Sequence, residues 1–458
     1  MQNNKFIEFR KKYKEFIYDK FELYEKDNKI IIKYYFEITD LAKFNPIIEI
    51  DKKEIKFNDI DNDYVKNLAF NIGMVELISY WKCACPSKVI LKCGYLNEEQ
   101  IQWFKKLYFY GLGEYRYVNN ITMTQDEMMQ IIVEQDYKEV INNNEYTNSG
   151  ILIPIGGGKD STVTLELLKK YKKDNYCLIV GGKQPSIDCA HIAGYEDNQI
   201  IEVKRTIDSN LIELNKNGFL NGHTPFSALL AFLSYFIAFL TNKKYIALSN
   251  ESSAEETNVE GEKINHQYSK SYEFEKDFQY YSQKYLKGDI KYFSMLRPIN
   301  ELQIAMLFSK NEQYHSTFKS CNVGSKQIPW VWCGNCPKCL FVFIILSPFL
   351  YSSGKLTKIF GQDLLQKESL LETFKELCGY GKTKPFECVG TYEEVNFAIT
   401  KTILELEKEN KRLPYLLQFY KDNYKLVDIS KDLTKQYNEE NSVPKELEEI
   451  LKGKIFND

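Results

Sequence analysis

One segment of the chain has the composition of a phosphate-binding turn, because the letters GGGKDS stand between a strand-like apolar run and a helical pattern. Glycines let backbone N–H groups approach an anion, and the dipole of a following helix adds to the attraction. A lysine adds positive charge, a serine offers a hydroxyl, and an aspartate can hold Mg²⁺ against phosphates. The spacing matches neither GxxxxGKS/T nor GxGxxG, and a plain tight turn is the alternative. The predicted phosphate-binding residues are Gly156, Gly157, Gly158, Lys159, Asp160 and Ser161, with Asp160 nearest the metal.

A second segment has the spacing of a metal site, C-x11-C-x2-C-x2-C. Each C-x2-C step can present two thiolates to one tetrahedral ion, and four thiolates leave no open position for catalysis. The spacing therefore predicts structural Zn²⁺, with a four-iron four-sulfur cluster as the competing metal. The predicted ligands are Cys321, Cys333, Cys336 and Cys339.

The elements that must position these residues form an α/β pattern. Strand-like apolar runs alternate with helical patterns, which predicts a doubly wound parallel sheet covered on both faces. The four runs are GILIPI, NYCLIVGG, NQIIEVKR and KYIALSN. The predicted domains are 1–149, an α+β domain; 150–351, the doubly wound domain with the four-cysteine segment; and 352–458, a mainly helical region.

Composition excludes several classes of protein. The 60 lysines and arginines nearly balance 63 acids, and no long run of one charge stands out, so charge alone does not suggest nucleic-acid binding. The N-terminal segment mixes charges with aromatics and lacks the apolar centre of a secretory signal, which favours the cytoplasm. The longest apolar run, 225–240, is shorter than the roughly 20 residues that span a bilayer, and it predicts a buried helix.

The glycine turn resembles the SGGxDS signature of PP-loop (HUP-like) ATP pyrophosphatases, with a glycine at the first serine. That resemblance implies cleavage of ATP to AMP and pyrophosphate in order to activate a substrate. Together with the four cysteines, it makes residues 150–345 similar to the deazaguanine (queuosine precursor) synthases, which activate a carboxylate with ATP and bind structural zinc. Those enzymes are about half as long, so this likeness leaves much of the chain unexplained.

A wider resemblance covers nearly the whole chain and points to the MurL family of peptidoglycan synthesis. It is carried by the segments GGGKDS, NGHTPFSALLAF, ALSNESSAEE, NHQYSKSYEFE, SCNVGS, CGNCPKCLFVF and KPFECVGTYEE. The resemblance implies an ATP- and Mg²⁺-dependent epimerase. Its implied substrate is the UDP-muramoyl dipeptide UDP-MurNAc-L-Ala-L-Glu, whose terminal L-glutamate becomes D-glutamate through carboxylate adenylation, with release of AMP and pyrophosphate.

Further residues become candidates for such a reaction. Glu251 follows an apolar strand, at the edge where ligands bind in open α/β sheets, and can hold Mg²⁺ or act as a base. The segment NHQYSK combines a titratable ring, an amide and a cation, and a thiol can transfer a proton. A solvated carboxylate, a helix cap, a surface loop and a core cysteine are the structural alternatives. The predicted catalytic residues are Asp160, Glu251, Glu387 and Cys388, and the predicted substrate-binding residues are His223, His266, Gln267, Lys270 and Arg297.

Two other functions are compatible with the same motifs. One is another PP-loop activator, either an amide-forming enzyme of the deazaguanine type or a tRNA-modifying enzyme. A tRNA thiolase would favour cysteines beside the glycine turn and a basic face, and the sequence shows neither. The other is a nucleotide-binding module without catalytic activity.

Overall fold

A sheet of 11 strands organises the part of the chain that the computed structural model describes, namely residues 4–52, 55, 57, 59–142, 149–182, 184–255, 265, 268–321, 323–324, 327 and 330–456. The strands are β1 (Glu15–Lys26), β2 (Lys29–Ile38), β3 (Ala42–Phe44), β4 (Ile47–Asp51), β5 (Lys88–Leu91), β6 (Gln130–Val133), β7 (Ile151–Pro154), β8 (Tyr176–Val180), β9 (Ile200–Thr206), β10 (Tyr245–Leu248) and β11 (Lys291–Ser294).

Helices connect and cover these strands. They are α1 (Asn4–Lys12), α2 (Asp63–Glu76), α3 (Ile78–Trp81), α4 (Glu98–Gly111), α5 (Gly113–Val118), α6 (Gln125–Met128), α7 (Lys159–Leu168), α8 (Gln184–Ile192), α9 (Ser209–Lys216), α10 (Phe226–Leu240), α11 (Tyr272–Tyr281), α12 (Glu301–Ser309), α13 (Pro337–Leu350), α14 (Lys355–Phe360), α15 (Leu371–Cys378), α16 (Tyr392–Lys408), α17 (Tyr415–Asn423) and α18 (Lys445–Phe456).

The order of the strands reverses its direction within the second half of the sheet. Five neighbouring strands run parallel in the order β9-β8-β7-β10-β11, so the chain moves outward from β7 in one direction and then returns to add β10 and β11 on the other side. This is the order of doubly wound sheets, in which ligands bind where the direction reverses. The prediction of an α/β fold with a large, mostly parallel sheet is confirmed.

Both faces of this sheet are buried, which explains why its strands are apolar throughout. Leu152 and Leu178 belong to one core together with α2 and α10, whereas Ile153 and Ile179 belong to a second core together with α7, α12 and α13. Successive side chains of a strand point to opposite faces, so each strand contributes to both cores. The apolar run predicted as a buried helix is α10, and none of the described helices is long and apolar enough to cross a membrane.

The N-terminal strands extend the same sheet. Strand β4 pairs antiparallel with β9, and β2, β1, β5 and β6 follow outward from β4. The sheet therefore continues across the predicted boundary at residue 149. In the described residues after β11 the regular elements are helices. The division into three domains, including a separate C-terminal region, stays a prediction.

Candidate active site

A cavity of about 780 Å³ lies at the carboxyl ends of β7, β8 and β10, where the strand order reverses. Segments far apart in the chain close it, among them 221–223 before α10, the first two residues of α10, 319–320, and 386–388. The structure thus brings most of the predicted site residues to one place. Those that line the cavity are Gly156, Gly158, Asp160, Ser161, His223, Lys270, Glu387 and Cys388.

The glycine turn is closely wrapped on one side and open on the other. Gly157 has φ +76°, and a Cβ atom there would lie 2.9 Å from the backbone nitrogen of Ser186. A Cβ atom at Gly158 would lie 2.6 Å from the hydroxyl of Ser320, whereas one at Gly156 would meet no atom within 4 Å. Only glycine fits such a left-handed, crowded turn at low cost. The open side faces the cavity.

The turn leads directly into α7, whose N-terminus is suited to an anion. Gly158 is the N-cap residue and supplies no side-chain hydrogen bond to the helix. The first backbone N–H groups of a helix lack partners within the helix, and the dipole places partial positive charge there. The hydroxyl of Ser161 donates to the carbonyl of Gly158 at 3.0 Å. Backbone donors and a hydroxyl therefore stand at the cavity wall.

Lys159 lies behind this wall, with a side chain only 1% exposed. Its ammonium group contacts the carboxylates of Asp160 and Glu301. Burial lowers the pKa of Lys159, but the two carboxylates outweigh it, so the pKa is raised and the group stays charged. Direct binding of phosphate by Lys159 stays a prediction, and the contacts it makes orient Asp160.

Glu301 is a buried carboxylate that the sequence analysis missed. It begins α12, and its backbone N–H donates to Glu394 at 2.8 Å. Burial raises the pKa of Glu301, with Asp160 and Glu251 adding to the rise while Lys159 opposes it. For Asp160 burial acts in the same direction, but the ammonium groups around it hold the pKa below its ordinary value. Asp160 is therefore an ionised carboxylate at the cavity.

A lysine and a cysteine meet in the same cavity as the glycine turn. The ammonium nitrogen of Lys270 lies 3.1 Å from the sulfur of Cys388. Burial lowers the pKa of Lys270. The neighbouring Cys388 and Glu251 raise it by a larger amount, so the pKa lies above its ordinary value. An ammonium group beside a thiol favours the thiolate, which is the form that accepts a proton or attacks. The pair has the chemistry of an acid-base group.

Arg297 is fully buried and joins the loops that carry Glu251 and Lys270. It donates to the carbonyl of Glu251 at 2.6 Å and to the carbonyl of Lys270, and its guanidinium lies 3.3 Å from the carboxylate of Glu275. These contacts give Arg297 a structural role, and substrate binding by it stays a prediction. Glu251 is itself buried, at 7% exposure, behind the cavity wall. His266 and Gln267 lie outside the described residues.

The four predicted metal ligands come together beside the cavity. The reactive sulfur atoms of Cys321, Cys333, Cys336 and Cys339 all lie within 4.8 Å of one another, with pairs at 4.0 and 3.7 Å. A tetrahedral zinc ion with Zn–S distances of about 2.3 Å needs sulfur atoms about 3.8 Å apart. The donor set therefore fits zinc, which would be structural because all four positions are thiolates. The predicted clustering is confirmed.

Comparisons with known proteins agree over most of the chain. Residues 8–295 match the family model described as the MurL N-terminal domain, and residues 317–428 match the one described as the MurL C-terminal domain. A protein of Xanthomonas oryzae pv. oryzae is 32% identical over 358 residues, which is 77% of each chain. A Micromonospora protein is 34% identical over 72% of this chain and 73% of its own. Both relatives are named UDP-N-acetyl-alpha-D-muramoyl-L-alanyl-L-glutamate epimerase.

Proposed function

Since the chain belongs to the MurL family, we propose that it is a cytoplasmic, ATP-dependent epimerase that converts the terminal L-glutamate of UDP-MurNAc-L-Ala-L-Glu to D-glutamate in peptidoglycan synthesis. Its relatives carry the name of that epimerase, so this chain is an isomerase that acts on a UDP-muramoyl dipeptide. The reaction takes place in the cavity at the edge of the sheet.

The chemistry explains why an epimerase of this kind would consume ATP. Removal of the α-proton beside an ionised carboxylate would place a second negative charge on the same group. A carboxyl-adenylate carries no such charge at the acyl carbon, so the new charge spreads into its carbonyl oxygen as an enolate. After the proton returns to the α-carbon, water hydrolyses the mixed anhydride, which restores the carboxylate and releases AMP. Because each cycle converts ATP to AMP and pyrophosphate, it runs in one direction.

One observation supports this proposal above the others: the glycine turn and the Lys270–Cys388 pair line the same cavity. An adenylating enzyme needs a phosphate cradle, and an epimerase needs an acid-base group beside the activated carbon. A nucleotide-binding module without activity would need the first feature alone. Their presence in one cavity favours an enzyme that activates a carboxylate and then moves a proton.

Different residues of the cavity bind the phosphates, hold Mg²⁺ and orient the metal-binding carboxylate. The N–H groups at the start of α7 bind the phosphates of ATP. The Ser161 hydroxyl turns from the carbonyl of Gly158 to donate to the same phosphates. Asp160 is ionised and partly exposed, at 28% of its side chain, so it can hold Mg²⁺ through an oxygen atom. When bound, that ion would neutralise charge on the phosphates. Lys159 and Glu301 keep the Asp160 carboxylate in place.

Proton transfer is assigned to the Lys270–Cys388 pair, which lines the same cavity. The thiolate of Cys388, paired with Lys270, accepts or returns the α-proton, and Glu387 is the neighbouring carboxylate in the same wall. Inversion requires that the proton return from the face opposite to the one it left. General acid-base groups of this type contribute on the order of 10²- to 10⁴-fold to a rate.

Exchange of labelled pyrophosphate into ATP tests the activation step. Reversible adenylation of UDP-MurNAc-L-Ala-L-Glu should move the label into ATP only when this substrate is present, and Asp160→Asn should abolish the exchange. Exchange that needs a deazaguanine carboxylate or a tRNA instead would assign the chain to another PP-loop activity. No exchange with any acceptor would favour a binding module.

A further inference from the structure

The four-thiol site is continuous in the chain with two walls of the cavity. Lys319 and Ser320 precede Cys321 directly, and Lys338 stands between Cys336 and Cys339. Lys319, Ser320 and Lys338 all line the cavity. The four cysteines, once bound to a metal, would therefore hold the backbone in place within one or two residues of side chains that line the cavity.

The first wall is the glycine turn. The backbone N–H of Lys319 donates to the carbonyl of Gly157 at 2.8 Å. Ser320 packs against Gly158 so closely that a Cβ atom on that glycine would lie 2.6 Å from its hydroxyl oxygen. The segment before Cys321 thus sets the position of the phosphate cradle.

The second wall carries Cys388, and a lysine holds each end of this residue. Lys338, in the first turn of α13, is only 8% exposed, and its ammonium group donates to the backbone carbonyl of Cys388. Lys270 contacts the sulfur of the same residue at 3.1 Å. Fixing both the backbone and the sulfur leaves the thiol little freedom to move.

We propose that Lys338 is a positioning residue, anchored by the four-thiol site, that fixes the backbone of Cys388 relative to the glycine turn. The inference rests on the proposed function, because Cys388 is the group assigned to proton transfer. The same metal site then holds the phosphate cradle on one side and the acid-base group on the other. A displacement of about 1 Å between reacting groups can cost 10²-fold in rate, so such an anchor has a catalytic consequence.

Lys338→Met removes the ammonium group and keeps an unbranched side chain of similar length. Lys367→Met is a matched control, because Lys367 also donates to a carbonyl of the metal loop, that of Gly334 at 2.9 Å, but does not line the cavity. Lys338→Arg retains a donor at the same position. Each purified full-length variant is assayed for metal content, for amide hydrogen exchange in the peptide 383–391, and for substrate α-proton exchange in D₂O with ATP varied.

Lys338→Met should speed amide exchange in the peptide at least fivefold and lower kcat for α-proton exchange at least tenfold, with KM for ATP within threefold and the metal retained. Lys338→Arg should recover part of kcat, and Lys367→Met should resemble the original protein. Three results would overturn the inference. They are unchanged amide exchange in peptide 383–391 of Lys338→Met, a raised KM for ATP with an unchanged kcat in that variant, or the same loss of kcat in Lys367→Met. If the original protein exchanges no α-proton, the proposed function fails, while the peptide measurement still decides whether Lys338 anchors Cys388.

Discussion

The ammonium nitrogen of Lys270 and the sulfur of Cys388 lie 3.1 Å apart although 118 positions separate them in the chain. Lys270 ends a short helical turn that precedes α11, and Cys388 lies in the loop before α16. The buried guanidinium of Arg297 donates to the backbone carbonyl of Lys270. The pair therefore depends on contacts among the three segments that carry Lys270, Cys388 and Arg297. Substitutions in each segment test its chemistry.

Lys270→Met should move the activity of the enzyme to higher pH. The pKa of Lys270 lies above its ordinary value, so its positive charge is present throughout the neutral range and favours the thiolate of Cys388. Loss of that charge removes a group that favours the thiolate, so the thiolate should form at higher pH. The rising limb of kcat/KM against pH should shift upward accordingly. The exposed Lys276, changed to Met, is the control, and an unshifted limb in Lys270→Met would rule out the pairing.

The glycine turn predicts a contrast between two neighbouring substitutions. Gly157→Ala places a side chain at φ +76° and 2.9 Å from a backbone nitrogen, so it should destabilise the fold. The left-handed conformation alone costs about 1–2 kcal/mol. Gly156→Ala meets no atom within 4 Å and should leave the unfolding temperature unchanged, but its methyl group enters the cavity and should raise KM for ATP. Thermal unfolding and ATP kinetics check both, and equal stability of the two variants would contradict this account of the turn.

Arg297 should prove to be structural. Arg297→Met leaves the buried carboxylate of Glu275 without its counter-charge, which costs on the order of 3–5 kcal/mol. Burial already raises the pKa of Glu275, so its carboxylate destabilises the fold increasingly as the pH rises from the ordinary carboxyl range through the raised value. The penalty should therefore shrink in acid, and Glu275→Gln in the same chain should recover part of it. Denaturant unfolding at several pH values measures this, and a raised substrate KM at full stability would instead make Arg297 a substrate ligand.

The four-cysteine site should contain one zinc ion per chain. Elemental analysis should find zinc without iron, and Cys321→Ser should lose the metal and lower the unfolding temperature. Because Lys319 and Ser320 hold the glycine turn, loss of metal should also raise KM for ATP. Stoichiometric iron with visible absorption would establish the competing iron–sulfur cluster, and a metal-free protein of unchanged stability would remove the structural role.

Local patterns in the sequence predicted the central strands, but they did not predict which distant strands pair with one another. The four apolar runs became β7 to β10 because strands covered on both faces are apolar throughout. Strand β11 was missed because a lysine and a serine flank its two aromatic residues, so it is not a continuous apolar run. The antiparallel pairing of β4 with β9 was also missed, since it joins segments far apart in the chain.

The same distinction applies to the candidate site. The glycine turn and the four cysteines are recognisable because their spacing is itself the signal. Glu301 and Lys338 were missed, since their importance depends on Lys159 and Cys388, partners that no spacing rule connects to them. Lys338 had one local signal, its place between two predicted metal ligands.

The most direct measurement is incubation of the purified protein with ATP, Mg²⁺ and UDP-MurNAc-L-Ala-L-Glu in D₂O, with AMP, deuterium at the glutamyl α-carbon and the D/L ratio determined together. An epimerase that adenylates its substrate should release AMP and form deuterated D-glutamate. Cys388→Ser should still form AMP or exchange pyrophosphate while α-deuteration falls about 100-fold or more, whereas Cys93→Ser, outside the cavity, should behave as the original protein. AMP without deuteration or inversion in the original protein would contradict the epimerase, and full deuteration by Cys388→Ser would contradict the assignment of the proton to that thiol.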